Sequence, residues 1–81
     1  MRGEIHAAVV ASVDEGARTC TVVFPDDDGG RQRSPALPYR PRLVGVDDDG
    51  LVLEHPRRGD AACVLEDATG GLWFSDWTPD D

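Results

Sequence analysis

Residues 3–25 read Gly3-Glu4-Ile5-His6-Ala7-Ala8-Val9-Val10-Ala11-Ser12-Val13, then Asp14-Glu15-Gly16-Ala17-Arg18, then Thr19-Cys20-Thr21-Val22-Val23-Phe24-Pro25. The second apolar run is dense in β-branched residues and stops at a proline, which has no N–H for a ladder. Asp14, Glu15 and Gly16 supply turn chemistry between the runs, with Gly16 free to take positive φ. Two strands joined by a short glycine-bearing loop form a long antiparallel hairpin. Strict alternation puts Ile5, Ala7, Val9, Ala11 and Val13 on one face of the first strand. It puts Cys20, Val22 and Phe24 on one face of the second.

Working outward, the rest of the chain supplies short runs able to cover that hairpin. Leu43-Val44-Gly45-Val46 and Leu51-Val52-Leu53-Glu54-His55 flank Asp47-Asp48-Asp49-Gly50, a second hairpin signature. Pro56-Arg57-Arg58-Gly59-Asp60 leads tightly into Ala61-Ala62-Cys63-Val64-Leu65-Glu66, and Gly70-Gly71 leads into Leu72-Trp73-Phe74-Ser75-Asp76-Trp77. Three prolines between Ser34 and Arg42 exclude a helix or a central strand there and leave a short edge strand or a polyproline-type excursion. No stretch keeps the i, i+3, i+4, i+7 pattern. Short strands with turns between them predict one all-β domain over residues 1–81, a small closed antiparallel barrel of five or six strands. Alternation predicts a core of Val9, Val22, Phe24, Leu53, Val64 and Leu72.

The same alternation in the last run places Leu72 and Phe74 on one face and Trp73, Ser75 and Trp77 on the other. With the first pair inward, two indoles stand on an outer ridge. Either the chain end folds over and buries them, or they meet another subunit or a partner, since exposed indole pairs mark interfaces. Trp73, Ser75 and Trp77 are therefore the candidate interface residues.

Composition narrows the function classes. The chain carries 16 acidic residues against 8 basic ones, all arginine, for a net charge of −8. That mean field repels phosphate, so nucleic acid is not an expected partner. No apolar stretch approaches the ~18 residues of a membrane span, and the start shows no secretory signal pattern. A domain of 81 residues with only five aromatics buries a modest core, so oligomerisation is expected.

Motifs for chemistry are missing. Ser12, Ser34 and Ser75 lack a glycine-flanked nucleophile elbow, and no phosphate-cradling loop precedes a helix. His6 and His55 read as surface or satisfied polar residues. Cys20 and Cys63 read as buried free thiols, with a disulfide as the alternative; their spacing does not suit a metal. Two acidic runs superficially resemble calcium loops, but Leu37 and Arg58 stand where an EF-hand needs its twelfth-position glutamate. Arg58-Gly59-Asp60 reads as a turn rather than an integrin ligand, and the Pro35–Arg40 segment only faintly matches a proline-rich docking peptide. No catalytic, cofactor-binding or metal-ligating residue is expected.

The order of elements resembles a known family. It comprises a Gly-Glu-Ile opening strand, Thr21-Val22-Val23-Phe24-Pro25, Ser34-Pro35-Ala36-Leu37-Pro38, His55-Pro56-Arg57-Arg58-Gly59-Asp60 followed by an apolar strand, and the Gly70-Gly71 turn. Together these are similar to the N-terminal oligonucleotide/oligosaccharide-binding (OB) domain of phage baseplate spike proteins, the baseplate assembly protein V family, and its relatives in contractile injection systems. The resemblance implies an OB-like barrel that works by assembly: a homotrimer or other small ring at a tail tip or baseplate. Its partners would be neighbouring tail proteins, with the chain assembled in the host cytoplasm and carried in the virion tail. The spike repeat that follows this barrel in the family is not found here, and the Trp73–Trp77 strand is more aromatic than the family pattern. A small-barrel cytoplasmic adaptor for a protein or peptide is the alternative.

Overall fold

The computed structural model describes residues 3–25 and 31–79. The Asp26–Gly30 acidic loop lies outside the described residues, so the calcium-loop reading of that segment is not placed.

Eight strands are described: β1 (Glu4–Asp14), β2 (Thr19–Pro25), β3 (Arg31–Arg33), β4 (Leu37–Pro38), β5 (Arg42–Asp47), β6 (Gly50–Glu54), β7 (Ala61–Glu66) and β8 (Leu72–Thr78). All pairings are antiparallel. Six strands form one sheet in the order β3-β2-β1-β7-β8, with β4 also paired to β2, while β5 and β6 form a separate two-stranded ribbon. The first hairpin therefore does organise the chain, with β1 central.

Its turn closes differently from the expectation. Asp14 Oδ1 accepts the Ala17 N–H at 3.1 Å, and the left-handed position falls on Arg18, at φ 55°, rather than on Gly16. The Arg18 carbonyl then accepts the Tyr39 N–H at 3.0 Å, tying the turn to the proline segment.

Two register breaks decide which side chains are buried. On β1, Val10 faces Val22 but Ser12 faces Thr21, so Ala11 is an extra residue. A bulge of this kind resets alternation, and the core face holds Ala8 and Val10, with Val13 packed against it. On β8, Phe74 pairs with Val64 and Asp76 with Cys63, leaving Ser75 as the extra residue. Trp77 is thereby turned to the core side, where it is 6% exposed.

The core is Ala8, Val10, Val22, Leu37, Ala62 and Val64, flanked by Val13, Phe24, Leu72 and Phe74. Val22, Val64, Phe24 and Leu72 stand as expected. Val9 does not: it is 44% exposed on the opposite face of β1. The expected face of Ile5, Ala7 and Val9 is the outer one. Alternation alone cannot separate two faces that are both apolar. Leu53 is also outside the core, in the ribbon.

No ladder closes the six-stranded sheet among the described residues. β4 comes close to β8 without pairing, and Tyr39 fills the gap, with ring centroids 6.4 Å from Phe74 and 6.3 Å from Trp77. A closing ladder would need donors from a segment carrying Pro35, Pro38 and Pro41, none of which has an N–H. The expected all-β antiparallel fold is present, and no closed barrel is detected among the described residues. The Cα radius of gyration, 13.9 Å, exceeds the ~11–12 Å of a compact domain this size, consistent with a ribbon that stands apart.

Candidate functional site

The outer face of the two central strands is unusual for an antiparallel sheet, whose solvent side is ordinarily polar. Cross-strand partners on β1 and β7 are Ile5 with Leu65, Ala7 with Cys63, and Val9 with Ala61. The rows continue outward, Leu65 to Trp73 on β8 and Val9 to Val23 on β2. The middle row runs from Cys63 to Asp76 at the β8 edge, but none of the outer-face side chains on β1 and β7 is charged, and Ile5 is 73% exposed and Trp73 59%.

Trp73 is held rigidly on that face. Its Nε1 donates to Asp67 Oδ2 at 3.0 Å, while Asp67 Oδ1 accepts from the Thr69 N–H, the Thr69 hydroxyl and the Gly71 N–H. The Thr69 hydroxyl first, then the Trp73 indole and the two backbone donors, hold the Asp67 carboxyl far below the usual carboxylate range. Gly71 makes room for this clamp, since a Cβ there would meet Asp67 Oδ2 at 2.7 Å. An exposed indole fixed before any contact forms is the kind of side chain that anchors interfaces.

The three candidate interface residues do not share a ridge. Trp73 is on the outer face, Ser75 is exposed at the bulge, and Trp77 is buried under Tyr39 and Phe74. One of the two tryptophans is thus buried within its own chain, against Tyr39, Phe74 and Arg42. Trp77 Nε1 has no acceptor among the described residues. Arg42 covers its ring, with the guanidinium carbon 4.3 Å from the centroid. Arg42 also donates to Glu54 at 2.8 Å, Asp76 at 2.6 Å and the Trp77 carbonyl at 3.1 Å, fixing the root of the ribbon to β8.

The β5–β6 ribbon is the second exposed apolar surface. Its register pairs Leu43 with Leu53 and Val46 with Leu51, putting these four on one face. Leu43, Val46 and Leu51 are 59, 74 and 67% exposed. At the tip, Asp47 Oδ1 accepts the Asp49 N–H at 2.8 Å and Gly50 takes φ 123°. Sequence reading found this hairpin but assigned Leu53 to the core; nothing in the local pattern says that a hairpin leaves its sheet.

The remaining polar candidates are engaged locally. His6 Nε2 lies 2.8 Å from Glu66 Oε1 and 3.6 Å from Glu4 Oε2, and the three ligand atoms lie within 4.8 Å of one another. Sequence reading did not bring these residues together, because Glu4 and Glu66 meet only through strand register. The His55 ring is hydrogen-bonded to the Tyr39 hydroxyl, whose pKa is raised by burial first and by nearby Glu15 next. Ser34 is buried, accepting the Val22 N–H at 3.0 Å and donating to the Pro35 carbonyl at 2.8 Å. Arg58-Gly59-Asp60 forms a turn, as expected, and the buried Asp60 accepts the Arg57 N–H at 2.8 Å, so its carboxylate faces its own turn. Both cysteines are free. Cys20 is buried and its thiol is pushed up to about 11 by burial, whereas Cys63 is exposed on the outer face, contrary to the expectation of two buried thiols.

Comparison with protein-family models, curated proteins and solved structures finds no match to this chain.

Proposed function

We propose that this protein is a non-enzymatic assembly component of a phage tail tip, baseplate or related injection machine, working as a small homo-oligomeric hub that binds neighbouring tail proteins. The observation that carries the assembly reading is the uncharged outer face of β1 and β7, with Trp73 clamped on it. Leaving such a face in water forgoes roughly 25 cal/mol for every Å² that association would bury. The tail setting rests on the sequence resemblance. The curled sheet, with β4 close to β8 and Tyr39 between them, is compatible with an OB-like barrel one ladder short of closure. In this reading the hub is a homotrimer or small ring in the virion tail, assembled in the host cytoplasm.

Solution mass by light scattering and sedimentation tests it. A discrete oligomer at micromolar concentration and moderate salt is expected, with no measurable DNA binding by fluorescence anisotropy. A monomer at high concentration refutes the hub. Genes for tail-tube, tape-measure or baseplate proteins beside this one are expected; their absence refutes the tail setting alone.

A further inference from the structure

We infer that the β5–β6 ribbon of one copy docks on the outer sheet face of the next, its acidic tip against Arg33 and Arg58. This rests on the oligomeric reading above and names the surfaces that would form the contact.

Beyond its root the ribbon packs little against the main sheet. Its strands pair only with each other, and its described ion-pair anchor to the main sheet is Arg42 at the root. An isolated two-stranded hairpin is marginal in water and normally gains its stability from a surface to lie on. Here the face of Leu43, Val46, Leu51 and Leu53 is left largely open within the chain. Its own sheet does not cover it.

The outer sheet face offers a complementary surface. Beside β1 runs an open cleft with Val9, Ala11, Val23 and Pro25 along it and Arg33 and Arg58 at its rim. Neither arginine forms an ion pair with a carboxylate among the described residues. The tip of the ribbon carries Asp47, Asp48 and Asp49. An apolar ribbon ending in three carboxylates therefore matches an apolar cleft rimmed by two guanidiniums. For a chain of net charge −8, this pairing supplies the local attraction that self-association needs.

Length agrees as well. At ~3.4 Å per residue, the six-residue β5 is about 20 Å long, comparable with the diagonal of the patch spanning β2, β1, β7 and β8 at ~4.8 Å per strand. The two apolar surfaces together expose on the order of 1,000 Å², about 500 Å² per partner against the ~800 Å² of a standard interface, so the charge pairs at the tip have to supplement the apolar contact. Because the donor and acceptor surfaces differ, the contact is head-to-tail, and a closed ring satisfies every ribbon.

The test is a charge swap read by sedimentation equilibrium, with circular dichroism confirming that each variant keeps its β spectrum. Arg33→Glu/Arg58→Glu is expected to weaken association at least tenfold. Asp48→Arg/Asp49→Arg is expected to weaken it similarly, although this variant carries less net negative charge, so global repulsion predicts the opposite. Combining all four substitutions is expected to restore association. Arg40→Glu/Arg57→Glu, the same charge change at other exposed sites, is expected to have a smaller effect than the cleft pair. Val46→Asp/Leu51→Asp on the ribbon face is expected to abolish association without rescue. An oligomer indifferent to the ribbon substitutions, or a swap that fails to rescue, overturns the docking while leaving the hub reading intact. A monomeric wild type overturns both.

Discussion

Trp73 and Trp77 lie on the same strand but on opposite sides of the sheet, because Ser75 is an extra residue against β7. One indole is clamped in the open by Asp67 and the other is buried beneath Arg42. Their substitutions should therefore separate stability from association. Trp77→Ala is expected to cost ~3–5 kcal/mol, most of a small domain's stability. Trp77→Phe should cost much less, since it also removes an indole N–H left without an acceptor. Trp73→Ala should change monomer stability by no more than ~1 kcal/mol while weakening the oligomer. Urea denaturation at low protein concentration, paired with sedimentation, measures both effects.

Val22→Asp and Val9→Asp form a second contrasting pair, on facing strands. Val22 is fully buried, and an unpaired carboxylate there costs several kcal/mol, so the domain is expected to unfold. Val9→Asp, on the outer face, should leave the β spectrum intact and reduce association. If Val9→Asp unfolds the monomer, the face assignment of β1 is wrong.

Arg18 occupies a left-handed conformation that costs a non-glycine residue roughly 1 kcal/mol. Arg18→Gly is expected to raise stability by up to ~1 kcal/mol in urea, because the turn keeps its carbonyl contact to Tyr39. A loss of stability would mean that the arginine side chain contributes more than its backbone costs.

The two thiols should differ in reactivity and in pH response. Cys63 is expected to react with a disulfide reagent in the native protein, and Cys20 only on unfolding. The folded state holds the Cys20 proton to about 11, against 9.0 for the free side chain. Stability present below 9.0 is therefore lost as pH rises towards about 11, because the unfolded chain releases that proton first. Tyr39, also raised by burial, should add to the decline at higher pH. In Cys20→Ala the alkaline loss should be smaller; an unchanged profile would remove Cys20 as a cause.

Gly71→Ala tests the clamp on Trp73. The new methyl would lie 2.7 Å from Asp67 Oδ2, the oxygen that accepts the indole N–H, so the carboxylate must move. Greater mobility in Trp73 fluorescence anisotropy and weaker association are expected, with little change in the core. An unaltered indole environment would show that Asp67 does not fix it.

The sequence foretold the elements better than their faces. The β1–β2 hairpin, the Asp47–Gly50 turn, the Arg57–Asp60 turn and the closing strand all stand where glycine, proline and β-branched residues placed them. Such signals are local. The side of each strand that is buried depends on register, and one extra residue at Ala11 or Ser75 reverses it. Neither bulge carries a glycine or other signal in the sequence. The Ser75 bulge accounts for Trp77, while Val9 lies on the outer face because both faces of β1 are apolar and alternation cannot tell them apart. Leu53 was misplaced because a hairpin's sequence does not say which sheet it joins. The clamp on Trp73 depends on Asp67 reaching over its own turn, which a polar loop composition does not disclose.

Open sheets carry a hazard that closed ones escape: their edges can recruit further strands without limit. Both edges of this one are blunted. β8 carries the Ser75 bulge, and the Arg42 guanidinium occupies the Trp77 carbonyl. At the other end β3 and β4 are only three and two residues long, and proline interrupts the segment around them. Fibril-like growth by strand addition is thus obstructed on both flanks. What remains sticky is a face and a ribbon, and contacts of that kind can be counted and closed.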